Sequence, residues 1–290
     1  MEKYRVISTQ KQTALVVNTE NGEKQACFFS RKRKPICGDY VEIQANENEY
    51  VIASIIDQKN VFARANHKGQ RQNIAANVDN QIIVVAVKPE PTRDLINRYL
   101  IAAHLCKMRP IIVFNKYDVD EEFFKKTEEL YKSLGYITLN TSTKTNHCFK
   151  ELTDLMHGKT SIFVGMSGVG KSSISEIILK HPLKTGEISK KTGKGSHVTS
   201  VTHMYRIPGS DGFLIDSPGV WEYGLWKMDE HEIAAGFPEI YEQLGHCKFS
   251  NCTHTHEPVC GIKIAVEENK INPLRYESYL RIIDSMKYWD

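Results

Sequence analysis

The first 66 residues alternate between apolar and polar positions in short runs, the pattern of half-buried strands. Tyr4–Ser8, Thr13–Asn18, Lys24–Phe29, Asp39–Gln44 and Tyr50–Ile56 are the predicted strands. Asn21-Gly22 separates the second from the third and is a strong hairpin signal, because both residues accept positive φ. Ala45-Asn-Glu-Asn separates the last two. Five such strands are the complement of an OB-type β-barrel, so residues 1–66 are predicted to form one. Residues 67–80 show no period and read as linker.

Beyond residue 80 the period changes. The apolar runs Gln81–Val87, Arg109–Asn115, Tyr136–Leu139 and Ser161–Val164 read as strands. Amphipathic stretches at Arg93–Lys107, Glu121–Leu134, Phe149–Met156 and Ser173–Lys180 alternate with them and read as helices. This order predicts a mostly parallel sheet covered on both faces. Two further strands, His203–Ile207 and Gly212–Asp216, flank a Pro208-Gly-Ser-Asp211 turn. The α/β domain is placed at 67–225 and a mainly α domain at 226–290. The last helix of that final domain starts with Asn272 as its cap and Pro273 as its first residue.

The strand–helix junction at 165–173 reads Gly165-Met-Ser-Gly168-Val169-Gly170-Lys171-Ser172-Ser173, a phosphate loop in the context that motif requires. Its glycines let backbone N–H groups turn toward phosphate oxygens, and the helix N-terminus adds its dipole. Lys171 would reach the β- and γ-phosphates, and the Ser172 hydroxyl would ligate Mg²⁺. A phosphate loop does not choose the base. That choice is assigned to Asn115-Lys116-Tyr117-Asp118, which ends the preceding strand in N-K-x-D. The Asp118 carboxylate can accept from the ring N–H and amino group of guanine, a pairing that adenine lacks. Lys116 would pack along the base, Asn115 would tie this loop to the phosphate loop, and Ser142 lies in a stretch that could contact guanine through its backbone. The strand Gly212–Asp216 runs into D-x-x-G, with Asp216 predicted to hold Mg²⁺ through water and Gly219 to meet the γ-phosphate.

These motifs stand in an unusual order. N-K-x-D comes first, then the phosphate loop, then D-x-x-G, so the GTPase domain is circularly permuted. Residues 184–200 are rich in Gly, Lys and hydroxyl side chains and lie where a switch segment belongs. Thr199 is the choice for a second Mg²⁺ hydroxyl, with Thr202 the alternative. Val220 follows Gly219 where many GTPases carry a water-orienting glutamine, and His197 is the candidate to replace it in catalysis beside Lys171.

Composition narrows the rest. The net charge of +3 is only mildly basic, so a polyanionic partner must be met by local patches such as Ser30-Arg-Lys-Arg-Lys-Pro35. No run has the length of a membrane span and the N-terminus lacks a signal-peptide layout, so a cytoplasmic chain with no membrane partner is expected. The seven cysteines are odd in number, which argues against a disulfide framework. Three of them form Cys247-x₄-Cys252-x-His254-x₅-Cys260, a ligand set for one structural Zn²⁺. His246 and His256 are rivals for the histidine place.

Together GMSGVGKSS, NKYD, Gly195-Ser-His197, DSPGV, Glu222-Tyr-Gly-Leu-Trp226, Gly236-Phe-Pro-Glu239 and the cysteine cluster resemble one family over nearly the whole chain. It is the ribosome small-subunit-dependent GTPase family, called RsgA or YjeQ. The resemblance implies an OB barrel, a permuted GTPase core and a zinc domain. It also implies GTP hydrolysis stimulated by the small ribosomal subunit, in whose late assembly the family acts, with subunit rRNA as partner and a monomeric chain. One rival class is a nucleotide-gated RNA-binding switch with incidental hydrolysis. Another is an ATP-using enzyme.

Overall fold

The computed structural model describes residues 2–46, 49–56, 58–66, 68–92, 94–181, 202–217 and 225–287. Its contacts group into two compact units, one made of residues 1–63, 73–91 and 108–222, the other of 64–72, 92–107 and 223–290.

The first unit opens with β1 (Tyr4–Gln10), β2 (Thr13–Asn18), β3 (Lys24–Phe28), β4 (Tyr40–Asn46) and β5 (Glu49–Ile55). They pair in the order β1-β2-β3-β5-β4, and β4 returns to β1 through Tyr4↔Val41, so the sheet closes into the predicted barrel. β3 and β5 pair in parallel while the other neighbours are antiparallel. The inward positions of the alternating strands, Val6, Val16, Cys27, Val41 and Ile52, fill its core.

β6 (Val61–Ala65), at the end of the stretch read as barrel, pairs with β7 (Arg71–Ala76), which lies in the stretch read as linker, in a separate two-stranded ribbon. The missed strand does not alternate: its first half is exposed and its buried half is two alanines. Its backbone packs closely on the barrel: Ala75 bridges to Cys37, and the Ala76 carbonyl lies so near Gly38 that a side chain at position 38 would collide with it.

β8 (Asn80–Ala86) is buried along its whole length. α1 (Leu95–Leu105) follows it in the chain and belongs to the second unit. The first unit resumes with β9 (Arg109–Asn115), α2 (Lys125–Ser133), β10 (Ile137–Thr141), α3 (Phe149–Met156), β11 (Thr160–Val164), α4 (Lys171–Leu179), β12 (His203–Arg206) and β13 (Phe213–Asp216). Strand order is β10-β9-β8-β11-β13-β12, with only β12 antiparallel to its neighbour. α2 begins four residues later than predicted, since the Asp120 carboxylate takes the N–H groups of Glu122 and Phe123 in a local turn. β12 also bridges to β1 at Ser8↔His203, so the barrel and this sheet are continuous.

The second unit adds α5 (Glu230–Ala235), α6 (Pro238–Tyr241), α7 (Gly261–Glu267) and α8 (Pro273–Met286). The buried Arg275 guanidinium organises it, donating to Glu239 at 2.6 Å and Asn97 at 2.5 Å and lying over the Phe237 ring. Asn272 caps α8 and Pro273 opens it, as predicted. Among the described residues, no helix is long and apolar enough to cross a membrane.

Candidate functional site

Parallel strands place their C-terminal ends along one edge, and the motif residues lie at the ends of neighbouring strands. β8 is flanked by β9 and β11, so N-K-x-D after β9 and the phosphate loop after β11 face each other across one strand. The Asn115 amide bridges that gap, donating to the Val169 carbonyl at 2.8 Å and accepting from the Thr141 hydroxyl at 3.1 Å. Lys116 sits at φ 60°, and its ammonium donates to the carbonyls of Lys88 (2.6 Å) and Gly168 (2.8 Å). Its stem is thereby stretched between the two loops.

Two glycines are required by this closeness. Gly165 lies at φ 144°, and a side chain there would collide with the Val84 carbonyl of β8. Gly170 lies at φ 101°, where a Cβ would collide with the Asn115 amide. Val169 between them is buried and anchors the loop in the core shared by β8, β9 and β11.

The Asp118 carboxylate accepts from the Ser142 hydroxyl at 2.5 Å, and that hydroxyl takes the Thr145 N–H at 3.2 Å. Ser142 is thus tied to Asp118 through its side chain, a link separate from the backbone contact to guanine expected of its stretch. The sequence carried no sign of this bond, because it joins residues 24 positions apart.

Lys171 begins α4 and donates to the carbonyls of Gly165 and Met166, each at 2.7 Å. Burial draws its ammonium down to about 8, against the pull of Asp216. Burial pushes the Asp216 carboxyl above the usual carboxylate range, with Lys171 acting in the opposite direction. The two ends of β11 and β13 therefore share one partly desolvated spot. Ser172 occupies the first turn of α4, half-buried, with Ser173 exposed beside it. A hydroxyl and a carboxylate, both hard oxygen donors, suit Mg²⁺. Thr202 bonds to the Ser217 hydroxyl at 3.1 Å, next to Asp216. His197, Thr199, Gly219 and Val220 lie outside the described residues.

In the second unit, Cys247, Cys252, His254 and Cys260 bring their ligand atoms within 4.8 Å of one another. Cys247 Sγ lies 3.8 Å from Cys260 Sγ and 3.5 Å from His254 Nδ1, which is 3.4 Å from Cys260 Sγ. Thiolates about 2.3 Å from a central ion in a tetrahedron stand about 3.8 Å apart, so the cluster fits zinc. The other imidazole nitrogen of His254 is 3.4 Å from Glu230, whose carboxylate also accepts from the Tyr279 hydroxyl at 3.1 Å. A carboxylate behind a ligand histidine fixes its ring, and nothing in the sequence marked Glu230 for that part. The rival His256 is exposed and bonds to Thr255 instead.

A closed barrel joined to a P-loop sheet whose motifs run in permuted order defines the class: a circularly permuted GTPase. The family model described as RsgA GTPase matches residues 55–226. The small ribosomal subunit biogenesis GTPase RsgA of Hahella chejuensis is 39% identical over 261 residues, 88% of this chain and 75% of that protein. The crystal structure of YjeQ from Thermotoga maritima matches with a TM-score of 0.78 at 29% identity, covering 99% of each chain. YloQ, described as a circularly permuted GTPase, matches at 0.75 and 25% identity over 99% of this chain and 95% of that one. The chain belongs to the RsgA GTPase family and is a GTP hydrolase.

Proposed function

We propose that this chain hydrolyses GTP on the small ribosomal subunit and acts in the maturation of that particle, in the cytoplasm. The observation that carries the nucleotide chemistry is the 2.8 Å bond from Asn115 to Val169, which joins the base-reading and phosphate-binding loops into one site. The relatives, named as small ribosomal subunit biogenesis GTPases, support the particle as partner. On this reading residues 1–66, 67–225 and 226–290 serve as rRNA-binding barrel, GTPase domain and zinc domain.

Asp118 reads guanine, oriented by Ser142, while Lys116 lines the base and Asn115 braces the loop. Gly165, Gly168, Val169, Gly170, Ser172 and Ser173 present backbone N–H groups to the phosphates. Lys171 neutralises the β- and γ-phosphates, a role suited to an ammonium that already spans the loop. Ser172 and, through water, Asp216 would hold Mg²⁺, with Thr199 as a further hydroxyl. The ion supplies charge neutralisation on the phosphates when bound. Gly219 would meet the γ-phosphate and His197 would orient the attacking water. Cys247, Cys252, His254 and Cys260 would hold one Zn²⁺ that stabilises the C-terminal fold.

The deciding experiment measures GTP and ATP turnover with and without isolated 30S particles. GTP turnover raised by the particle is expected, with none for ATP. Equal rates with and without particles would overturn the proposal.

A second reading has its own observation. β12 sits between β13 and the barrel strand β1, with His203 paired to both Asp216 and Ser8. That arrangement suits a switch in which the nucleotide state sets barrel affinity for RNA. A particle affinity that is the same with GDP and with a non-hydrolysable GTP analogue would exclude it.

A further inference from the structure

Within the first unit a crevice of about 520 Å³ opens where the barrel strand β1 meets the start of β11 and β13. It lies at the opposite end of β11 and β13 from the nucleotide site, since Thr160 and Phe213 begin the strands that end at Val164 and Asp216. Three cations line it, Lys3, Arg5 and Lys59, with two carboxylates, Asp79 and Asp211. Both carboxylates are already engaged. Asp79 pairs with Lys59 at 2.8 Å and accepts the Thr160 N–H at 2.9 Å, while Asp211 pairs with Arg206 at 2.8 Å.

Lys3 and Arg5 are left without a carboxylate partner among the described residues. Arg5 is 4% exposed. Its guanidinium makes one short bond, to the Thr160 hydroxyl at 2.7 Å, and two long ones to the carbonyls of Asn77 (3.4 Å) and Gly38 (3.5 Å). Nη1 has no acceptor among the described residues. The rings of Tyr40 and Phe213 lie 5.1 and 4.8 Å from the guanidinium carbon and hold its plane. The Lys3 ammonium lies 4.1 Å from the same Tyr40 ring. A buried cation is costly unless a charge or good acceptors compensate it. Here the direct partners are neutral, the Asp79 carboxylate acts only from a distance while paired with Lys59, and a second cation lies by the same ring.

We propose that this crevice binds a phosphate group, with Arg5 as the fixed donor and Lys3 as the mobile second charge. Arg5 suits the part because its planar donors are pre-oriented by the rings, so little freedom is lost on binding. The phosphate can come from a small phosphorylated compound or from an RNA backbone, and the chemistry recognised is the same.

The test uses the full chain saturated with Mg²⁺ and GDP, so that the phosphate loop is already filled. Inorganic phosphate is titrated at constant ionic strength while amide resonances of Lys3, Tyr40 and Thr160 are followed by NMR. Saturable shifts are expected in the wild type. Lys3→Glu, at an exposed position, should weaken them about tenfold, and Arg5→Met should abolish them. If Arg5→Met fails to fold, Lys3→Glu alone decides. Absence of saturable shifts, or equal affinity in Lys3→Glu, would overturn the proposal. A short single-stranded RNA that gives the same shifts and is displaced by phosphate identifies a backbone phosphate as occupant. Shifts with phosphate alone identify a small phosphorylated compound.

Discussion

Asn115 and Val169 are 54 positions apart, yet the amide of one donates to the carbonyl of the other at 2.8 Å. Asn115 is fully buried and also receives the Thr141 hydroxyl, so its removal leaves two polar groups without a partner. Asn115→Ala should cost about 1–3 kcal/mol of stability and loosen the phosphate loop. A fluorescent GDP titration should show a loss of affinity of roughly ten- to a hundredfold. Unchanged affinity would mean the brace is purely structural.

The proposed reading of guanine by Asp118 is tested by substitution. Asp118→Asn should weaken GTP and favour xanthosine triphosphate, whose ring carbonyl accepts from the new amide. Ser142→Ala should keep the preference for guanine and lower affinity by about 1 kcal/mol, since it removes one hydrogen bond that orients the carboxylate. Competition binding with the two nucleotides separates these outcomes, and an Asp118→Asn protein that still prefers GTP removes Asp118 from the base site.

The zinc cluster makes a graded prediction. Cys252→Ala should lose the metal and destabilise the C-terminal unit, because binding energy there is folding energy. Glu230→Gln should retain zinc at roughly ten- to a hundredfold lower affinity, as expected for the partner of a ligand histidine. Competition with a chromogenic chelator measures both. Equal zinc affinity in Glu230→Gln and wild type would assign Glu230 to packing alone.

The basic loop of the barrel needs a narrower variant than its sequence implies. Arg33 donates to the Ala53 carbonyl and is engaged in the barrel itself. Arg31 and Lys34 line a groove of about 420 Å³ with Lys11 and Phe29. Neutralising Arg31, Lys32 and Lys34 together should weaken binding to ribosomal particles and flatten its salt dependence. GTP turnover of the isolated chain should stay the same. An unaltered salt slope would make the run a solvated loop.

The proposed catalytic part of His197 rests on the sequence alone: a valine follows D-x-x-G where a polar side chain is usual, and an imidazole can act as a base near neutral pH. His197→Ala should leave GTP affinity and the slow basal rate in place and remove most of the stimulation by particles. Full stimulation at saturating particle concentration would rule out a direct catalytic part.

Local pattern determined much of this protein. Alternation gave the barrel strands, apolar runs the parallel strands, and G-x-x-x-x-G-K-S and N-K-x-D the kind of ligand, because each depends on residues close in the chain. The clustering of Cys247, Cys252, His254 and Cys260 was legible for the same reason, though the choice of His254 over its neighbours His246 and His256 was settled only by which side chains meet. Tertiary structure decided what depends on distant residues meeting. It closed β4 onto β1, seated Gly170 against Asn115, set Ser142 on Asp118 and put Glu230 behind His254. It also turned part of the stretch read as linker into β7, whose buried alanines carry no periodic signal and whose backbone is held by Cys37 and by the close approach of Gly38. Arg5 is the sharpest case: in sequence it is one charge in an alternating strand, and only the fold buries it against Thr160, 155 positions away. Side-chain period reports which face is buried, but the partners on that face are set by which strands become neighbours.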